Sequence, residues 1–234
     1  MMIILSIFIS ILPVFLLGIY VYKKDTEKEP VSLILGLFVS GFLSAILVIV
    51  IDIVIGFIDP QLFDVLEGKN ISFIKLFSTI FFEIALIEEF SKWLMIRIFG
   101  YRNKEFNQLY DIIVYSVFVA LGFALVENVF YVLPGGVSIG IYRALISVPG
   151  HACFGVIMGV FLGLSKVYEK KDKVLSRVYM FYAVLIPTIL HAIFNFCLLA
   201  EDILLFVVFI AFIIILYVVS IYNINRVSKI NEEL

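Results

Sequence analysis

Apolar runs of at least about 20 residues recur seven times along the chain, with short polar stretches between them. They are Met2–Tyr22, Val31–Ile58, Ser72–Phe99, Leu109–Leu133, Ser138–Val167, Val178–Leu199 and Ile203–Tyr222. A helix rising 1.5 Å per residue needs about 20 residues to cross the hydrocarbon of a bilayer, so each run predicts a transmembrane helix. The second, third and fifth are longer than that and predict tilt, or ends that project past the bilayer. The first run has neither a basic segment before it nor a small-residue cleavage site, and reads as a span, not a removed signal. No repeat and no low-complexity linker interrupts the series. The pattern predicts one all-α domain over residues 1–234, a polytopic membrane helical bundle of about seven transmembrane helices, with the chemistry-bearing core at about 72–199.

Composition agrees: 63% of the 234 residues are hydrophobic, 15% are charged and the mean hydropathy is +1.16. A soluble domain would be nearer half apolar. The net charge of −2 and the lack of a long basic run leave no basis for nucleic-acid binding. Cys153 and Cys197 both fall in apolar runs and read as small buried residues, not as a disulfide. Charge distribution orients the chain. Lys23, Lys24 and Lys28, then Arg97, Arg102 and Lys104, then Lys166, Lys170, Lys171, Lys173 and Arg177, then Arg226 and Lys229 all fall on one side. The opposite loops hold Asp59, Asp64 and Glu67, then Pro134-Gly135-Gly136, then Glu201-Asp202. The positive-inside rule places the basic loops and the C-terminus in the cytoplasm and the N-terminus outside.

Against this background a few polar residues stand out. The run Ser72–Phe99 carries Glu83, Glu88, Glu89 and Lys92. An ionisable residue near a helix centre costs ~2.5 to 3.5 kcal/mol on insertion scales, so the four together cost roughly 10 kcal/mol before pairing. A helix that only spans would not accumulate that, and the default reading is a polar site within the membrane. The two histidines, His151 and His191, are also in apolar runs, and each lies close to a proline, Pro149 or Pro187. Helix rise places Glu88 and Glu89 about 12 to 14 Å from the basic end of their helix, His191 about 20 Å and His151 about 22 Å from theirs. Glu127 is about 9 Å from the other end and matches Asn195 in depth better than Glu88.

Glu88 precedes Lys92 by four residues, the favourable order for a helix pair. Glu89 is turned by about 100° from Glu88, so one carboxylate can be held by the lysine while the other faces a cavity. His191 and Asn195 share a face, and an asparagine can orient an imidazole or donate to an oxyanion. Carboxylates with histidines suit two chemistries: a metal that activates water, or a glutamate base with no metal. No His-Glu-x-x-His signature chooses between them. Arg143 and Asp52 read as helix-interface or boundary residues, and Asp111 as a residue that caps or solvates a helix end.

Glu88-Glu89-Phe90-Ser91-Lys92 resembles the Glu-Glu-x-x-Lys motif of the PrsW family of intramembrane proteases, which belongs to the wider superfamily of CAAX prenyl proteases and bacteriocin-immunity proteins. Tyr22 to Pro30, Gly122 to Tyr131, Arg143 to His151 with Gly159, and His191-Ala192-Ile193-Phe194-Asn195 are similar to further family segments, in order. The resemblance implies a multi-pass protease of the bacterial cell membrane that hydrolyses peptide bonds of a membrane-bound substrate. A single-span anti-sigma factor cut at its first site during envelope stress is the expected partner. Glu88, Glu89 and His191 are then the expected catalytic residues, with Lys92 and Asn195 in support. His151, His191 and Glu127 are candidate metal ligands. Zinc is the implied ion, although metal-free glutamate catalysis has been argued for related members. A proton-coupled transporter and an inactive immunity-type protein are the alternatives from other classes.

Overall fold

Each apolar run folds as helix in the computed structural model, which describes residues 2–58, 72–200 and 202–230. The predicted outer-loop acids Asp59, Asp64, Glu67 and Glu201 lie outside the described residues. The helices are α1 (Met2–Lys24), α2 (Val31–Ile58), α3 (Phe73–Thr79), α4 (Leu86–Phe99), α5 (Asp111–Tyr142), α6 (Val148–Tyr168), α7 (Lys173–Leu199) and α8 (Ile203–Val227). Two wider π-helical segments, Ile80–Ala85 and Arg143–Ser147, join α3 to α4 and α5 to α6. There is no strand among the described residues. Among the described residues, four stretches are long and apolar enough to cross a membrane: Val31–Ile58, Asp111–Tyr168, Lys173–Leu199 and Ile203–Val227.

The ends of several helices follow from local chemistry. Ser72, Asp172 and Asp202 each accept a hydrogen bond from a backbone N–H in the following first turn, so α3, α7 and α8 begin with side-chain N-caps. Asp111, expected to cap or solvate the start of α5, is instead buried and makes no side-chain cap there; its Oδ2 accepts from the N–H groups of Asn107 and Gln108 at 3.0 and 2.7 Å, which fastens the preceding loop.

The sequence predicts a loop at Pro134-Gly135-Gly136. The chain instead stays helical on both sides of a single break at Gly136, whose φ of 67° and ψ of −158° suit glycine alone. Farther on, Pro149 cannot donate a backbone hydrogen bond to the preceding turn. The hydroxyl of Tyr217, on α8, donates to the carbonyl of Leu145 at 3.0 Å and so satisfies a group in the distorted turn.

α5 is the central post. Its half from Asp111 to Ala124 is almost wholly buried, and α1, α2 and α6 pack around it. α2 crosses α5 backbone against backbone. A Cβ on Gly122 would stand 2.0 Å from the carbonyl oxygen of Phe38, and one on Gly41 2.2 Å from that of Val119. Small residues permit this approach, which side-chain packing alone does not drive in a bilayer. α7 packs on α6 and on the first π segment, and so closes the ring around a polar interior. Ile203, Leu204 and Val207 on α8 are exposed, as residues facing acyl chains should be.

Candidate active site

The first π segment ends three residues before Glu88, and the second ends four residues before His151. A π turn inserts an extra residue and re-aims the side chains after it, which is why such turns gather at functional sites. From these two re-aimed helices and from α7, six ionisable or amide side chains converge: Glu88, Glu89, Lys92, His151, His191 and Asn195.

Glu89 is fully buried. Its Oε1 accepts from Lys92 Nζ at 2.8 Å and from His191 Nδ1 at 2.9 Å, while its Oε2 has no partner among the described residues. Glu88 is held more loosely, with Oε2 at 3.4 Å from Lys92 Nζ and 4.0 Å from His191 Nδ1. The helix pair expected between Glu88 and Lys92 is therefore present, but the lysine's tighter partner is Glu89, three residues away. Lys92 Nζ also meets His151 Nδ1 at 3.2 Å. On the far side His151 Nε2 lies 2.8 Å from Glu127 Oε2, and an Arg143 guanidinium nitrogen lies 2.9 Å from the same oxygen. Arg143 Nε donates to Asn128 Oδ1. Asn195 Nδ2 lies 3.3 Å from His191 Nε2.

These contacts fix the tautomers. An ammonium only donates, so His151 Nδ1 accepts and its Nε2–H donates to Glu127. A carboxylate only accepts, so His191 Nδ1–H donates to Glu89 and its Nε2 accepts from Asn195. Every ring nitrogen of the two imidazoles has a partner in this network. The result is one buried path, Arg143–Glu127–His151–Lys92–Glu89–His191–Asn195. Along it two cations, Arg143 and Lys92, meet two carboxylates, Glu127 and Glu89, and Glu88 beside the path shares Lys92 at the longer 3.4 Å.

Glu88 is also the member of the pair that reaches free space. A cavity of about 320 Å³ is lined by Glu88, Glu127, Tyr131, Arg143, His151, His191 and Asn195, with Ile84, Ile139, Leu198 and Leu199 among its apolar walls. Glu89 and Lys92 are not in that lining. Hydrophobic walls with a few convergent polar groups are the usual build of a site that takes up part of a chain.

The structure thus brings together the candidate site residues Glu88, Glu89, Lys92, Glu127, His151, His191 and Asn195, whereas Glu83, in the first π segment, is not in the cavity lining. Two expectations change. Glu127, placed by helix rise at a different depth from Glu88, joins the cluster through His151. Arg143, read as an interface residue, lies 2.9 Å from Glu127 and lines the cavity. The signal for it was present, since an arginine in an apolar run carries the same insertion cost that drew attention to Glu88.

Glu88, Glu89, His151 and His191 each present a possible ligand atom within 4.8 Å of the others. Two carboxylates and two imidazoles suit zinc, and the unpartnered Glu89 Oε2 would add a donor. The ammonium of Lys92, however, stands among these atoms at 2.8, 3.2 and 3.4 Å from three of the four residues. With the lysine in that position the set does not take an ion.

Residues 29–221 match the family described as PrsW family intramembrane metalloprotease. The chain belongs to the PrsW family. Among its relatives, the Protease PrsW of Oceanobacillus iheyensis is 36% identical over 192 residues, which cover 81% of this chain and 80% of that protein. The Geobacillus kaustophilus Protease PrsW is 38% identical over 187 residues, covering 80% and 76%. The Bacillus subtilis Protease PrsW is 35% identical over 184 residues, covering 77% of each. No solved structure matches. The protein is an intramembrane protease of the PrsW family, and the buried cluster on α4, α6 and α7 falls within the matched residues.

Proposed function

We propose that this PrsW-family member is an endopeptidase that cuts a single-span membrane protein, with Glu88 as the general base. The carrying observation is the unequal environment of the two adjacent glutamates: Glu89 is fully buried outside the cavity lining and holds Lys92 and His191 through Oε1, while Glu88 faces the cavity. A carboxylate already held by two donors has little capacity to take a proton. One that is held loosely and borders free space can. Glu88 takes a proton from a water in the cavity as the water oxygen attacks the scissile carbonyl carbon. The side-chain N–H groups of Asn195 and Arg143, both in the lining, supply donors for the oxygen that becomes negative. Protonated Glu88 then gives the proton to the leaving nitrogen as the C–N bond breaks, and a free amine and a carboxylic acid result. The path from Arg143 to His191 keeps the surrounding charges and imidazole tautomers fixed meanwhile.

The topology supports the side of the cut. The apolar walls Ile84, Tyr131, Ile139, Tyr142, Leu198 and Leu199 lie toward the helix ends opposite the basic loops. With seven spans, an outside N-terminus and a cytoplasmic C-terminus, that is the outer half of a bacterial cell membrane. A substrate strand entering there is cut near its extracytoplasmic edge, as first-site cleavage of an anti-sigma factor in envelope-stress signalling requires. The glutamate pair, two histidines and asparagine also fit the superfamily that includes the CAAX prenyl proteases.

The test is reconstitution of the purified protein in lipid with single-span anti-sigma factors from the same genome, with the products mapped by mass spectrometry. The reading expects a single cut at or outside the outer membrane boundary, absent with Glu88→Gln. Folded wild-type protein that cuts none of these substrates, or cuts on the cytoplasmic side, overturns it.

A further inference from the structure

The cage around Lys92 has the dimensions of an ammonium site. A zinc ion draws nitrogen and oxygen ligands to about 2.0–2.2 Å, and a catalytic zinc keeps one position open for water. Here the three acceptors Glu89 Oε1, His151 Nδ1 and Glu88 Oε2 stand at 2.8, 3.2 and 3.4 Å from Nζ, which is hydrogen-bond spacing. An ammonium has three N–H donors, and three acceptors are present. The aromatic ring of Phe123 covers a further side, with its centroid 4.0 Å from Nζ. A cation over a ring face is attracted by the ring's quadrupole, so this wall also suits a lysine. Lys92 is 1% exposed and is not among the residues that line the cavity. A dication placed beside it would meet strong repulsion in so poorly screened an interior.

We propose that the ammonium of Lys92 occupies the position that a divalent metal would take, so that the protein carries a built-in cation and becomes a zinc-binding protein only when that lysine is removed. The inference concerns the site read above as proteolytic, but its first test does not depend on proteolysis. In the wild-type protein Glu88, Glu89 and His151 are held around Nζ, and His191 is held through Glu89. Removal of the amine frees His151 Nδ1 and leaves Glu89 Oε1 with His191 as its remaining partner, while Glu89 Oε2 has none among the described residues. Lys92→Met keeps the apolar stem and much of the volume while it deletes the charge.

The experiment measures zinc directly. Wild-type protein, Lys92→Met and the triple variant Glu88→Gln/Glu89→Gln/Lys92→Met are purified in detergent after chelator treatment. Folding is checked by the thermal unfolding midpoint, and zinc is titrated with bound metal counted by mass spectrometry. The expected result is no stoichiometric zinc on the wild type, one zinc per chain on Lys92→Met with a raised unfolding midpoint, and none on the triple variant. Lys92→Gln serves as a second charge deletion should the methionine variant not fold. One zinc per chain on the wild-type protein overturns the proposal, as does failure of a folded charge-deleted variant to take up zinc. A separate arm assays substrate cleavage by the wild type with a strong chelator present. Full activity there supports the proposal, and loss of activity restored by zinc overturns it. If no substrate is cut under any condition, the protease reading fails, while the zinc titration still decides this inference.

Discussion

Substitution of each of the two adjacent glutamates by glutamine separates a chemical role from a structural one. Glu89→Gln replaces a fully buried carboxylate that accepts from Lys92 at 2.8 Å and from His191 at 2.9 Å. The lysine is 1% exposed, and its remaining partners are His151 and the looser Glu88. Breaking a buried pair by removing one partner leaves an uncompensated charge and costs about 3–5 kcal/mol. Glu88 offsets part of this by closing on Nζ from 3.4 Å, so the lower end, about 3 kcal/mol, is expected. Glu88→Gln leaves Lys92 with its close carboxylate and removes only the longer contact. Its stability cost should stay under about 1.5 kcal/mol, the net worth of an ordinary hydrogen bond. Its cleavage rate should fall by about 10²–10⁴, the contribution of a positioned general base. The assay pairs thermal unfolding of both variants in one detergent with initial cleavage rates under single-turnover conditions. An inactive Glu88→Gln with near-native stability, beside a clearly destabilised Glu89→Gln, is the expected pattern. If Glu88→Gln retains wild-type rate, or if it is the more destabilised of the two, the division of labour is wrong.

Arg143→Gln should lower the unfolding midpoint and the cleavage rate together, because it leaves Glu127 and Asn128 without their guanidinium; Arg143→Lys should recover stability better than rate, since an ammonium does not reproduce the fork, and equal recovery of both would argue against a role in the cavity. Gly122→Ala should cost about 1–3 kcal/mol or more, because its Cβ would lie 2.0 Å from the Phe38 carbonyl oxygen and ordinary contact at 3.4 Å requires the α2 backbone to move; an unchanged unfolding midpoint would refute the close crossing. In the loop between α1 and α2, burial first and then the neighbouring charge of Asp111 push the Glu29 carboxyl from 4.5 up to about 8, and burial raises Asp25 in the same direction. The folded protein therefore keeps a proton on Glu29 that the unfolded chain releases, so stability should fall as pH rises from 4.5 to about 8 and level off above that. Glu29→Gln should flatten that slope in unfolding measured across the range, and a slope left intact would place the proton elsewhere.

What the sequence by itself determined is the solvent and the reagents. Seven apolar runs fix an all-helical chain, because only helices or closed barrels satisfy backbone groups in lipid. The cost of burying ionisable groups singles out Glu88, Glu89, Lys92, Glu127, His151 and His191 without reference to any fold. The spacing of Glu88, Glu89 and Lys92 also foretells that one carboxylate is clamped and the other left available. It does not tell which, since i,i+3 and i,i+4 partners are both within reach on a helix. That choice rests on His191, which comes from a helix about a hundred residues away and adds a second donor to Glu89 alone. The same holds for Arg143. Along the chain it is one arginine near a glycine break, and only the π turn at Arg143–Ser147 and the packing of α6 against α5 bring it to Glu127. Depth counted along separate helices put Glu127 out of register with Glu88, because that count assumes straight, parallel axes and 1.5 Å per residue. Two π segments and the break at Gly136 violate the assumption at the points that matter. Composition and period thus decide which residues must find partners in the membrane, and the tertiary structure decides which partners they find, because pairing across helices depends on axis bends and close crossings that no local pattern encodes.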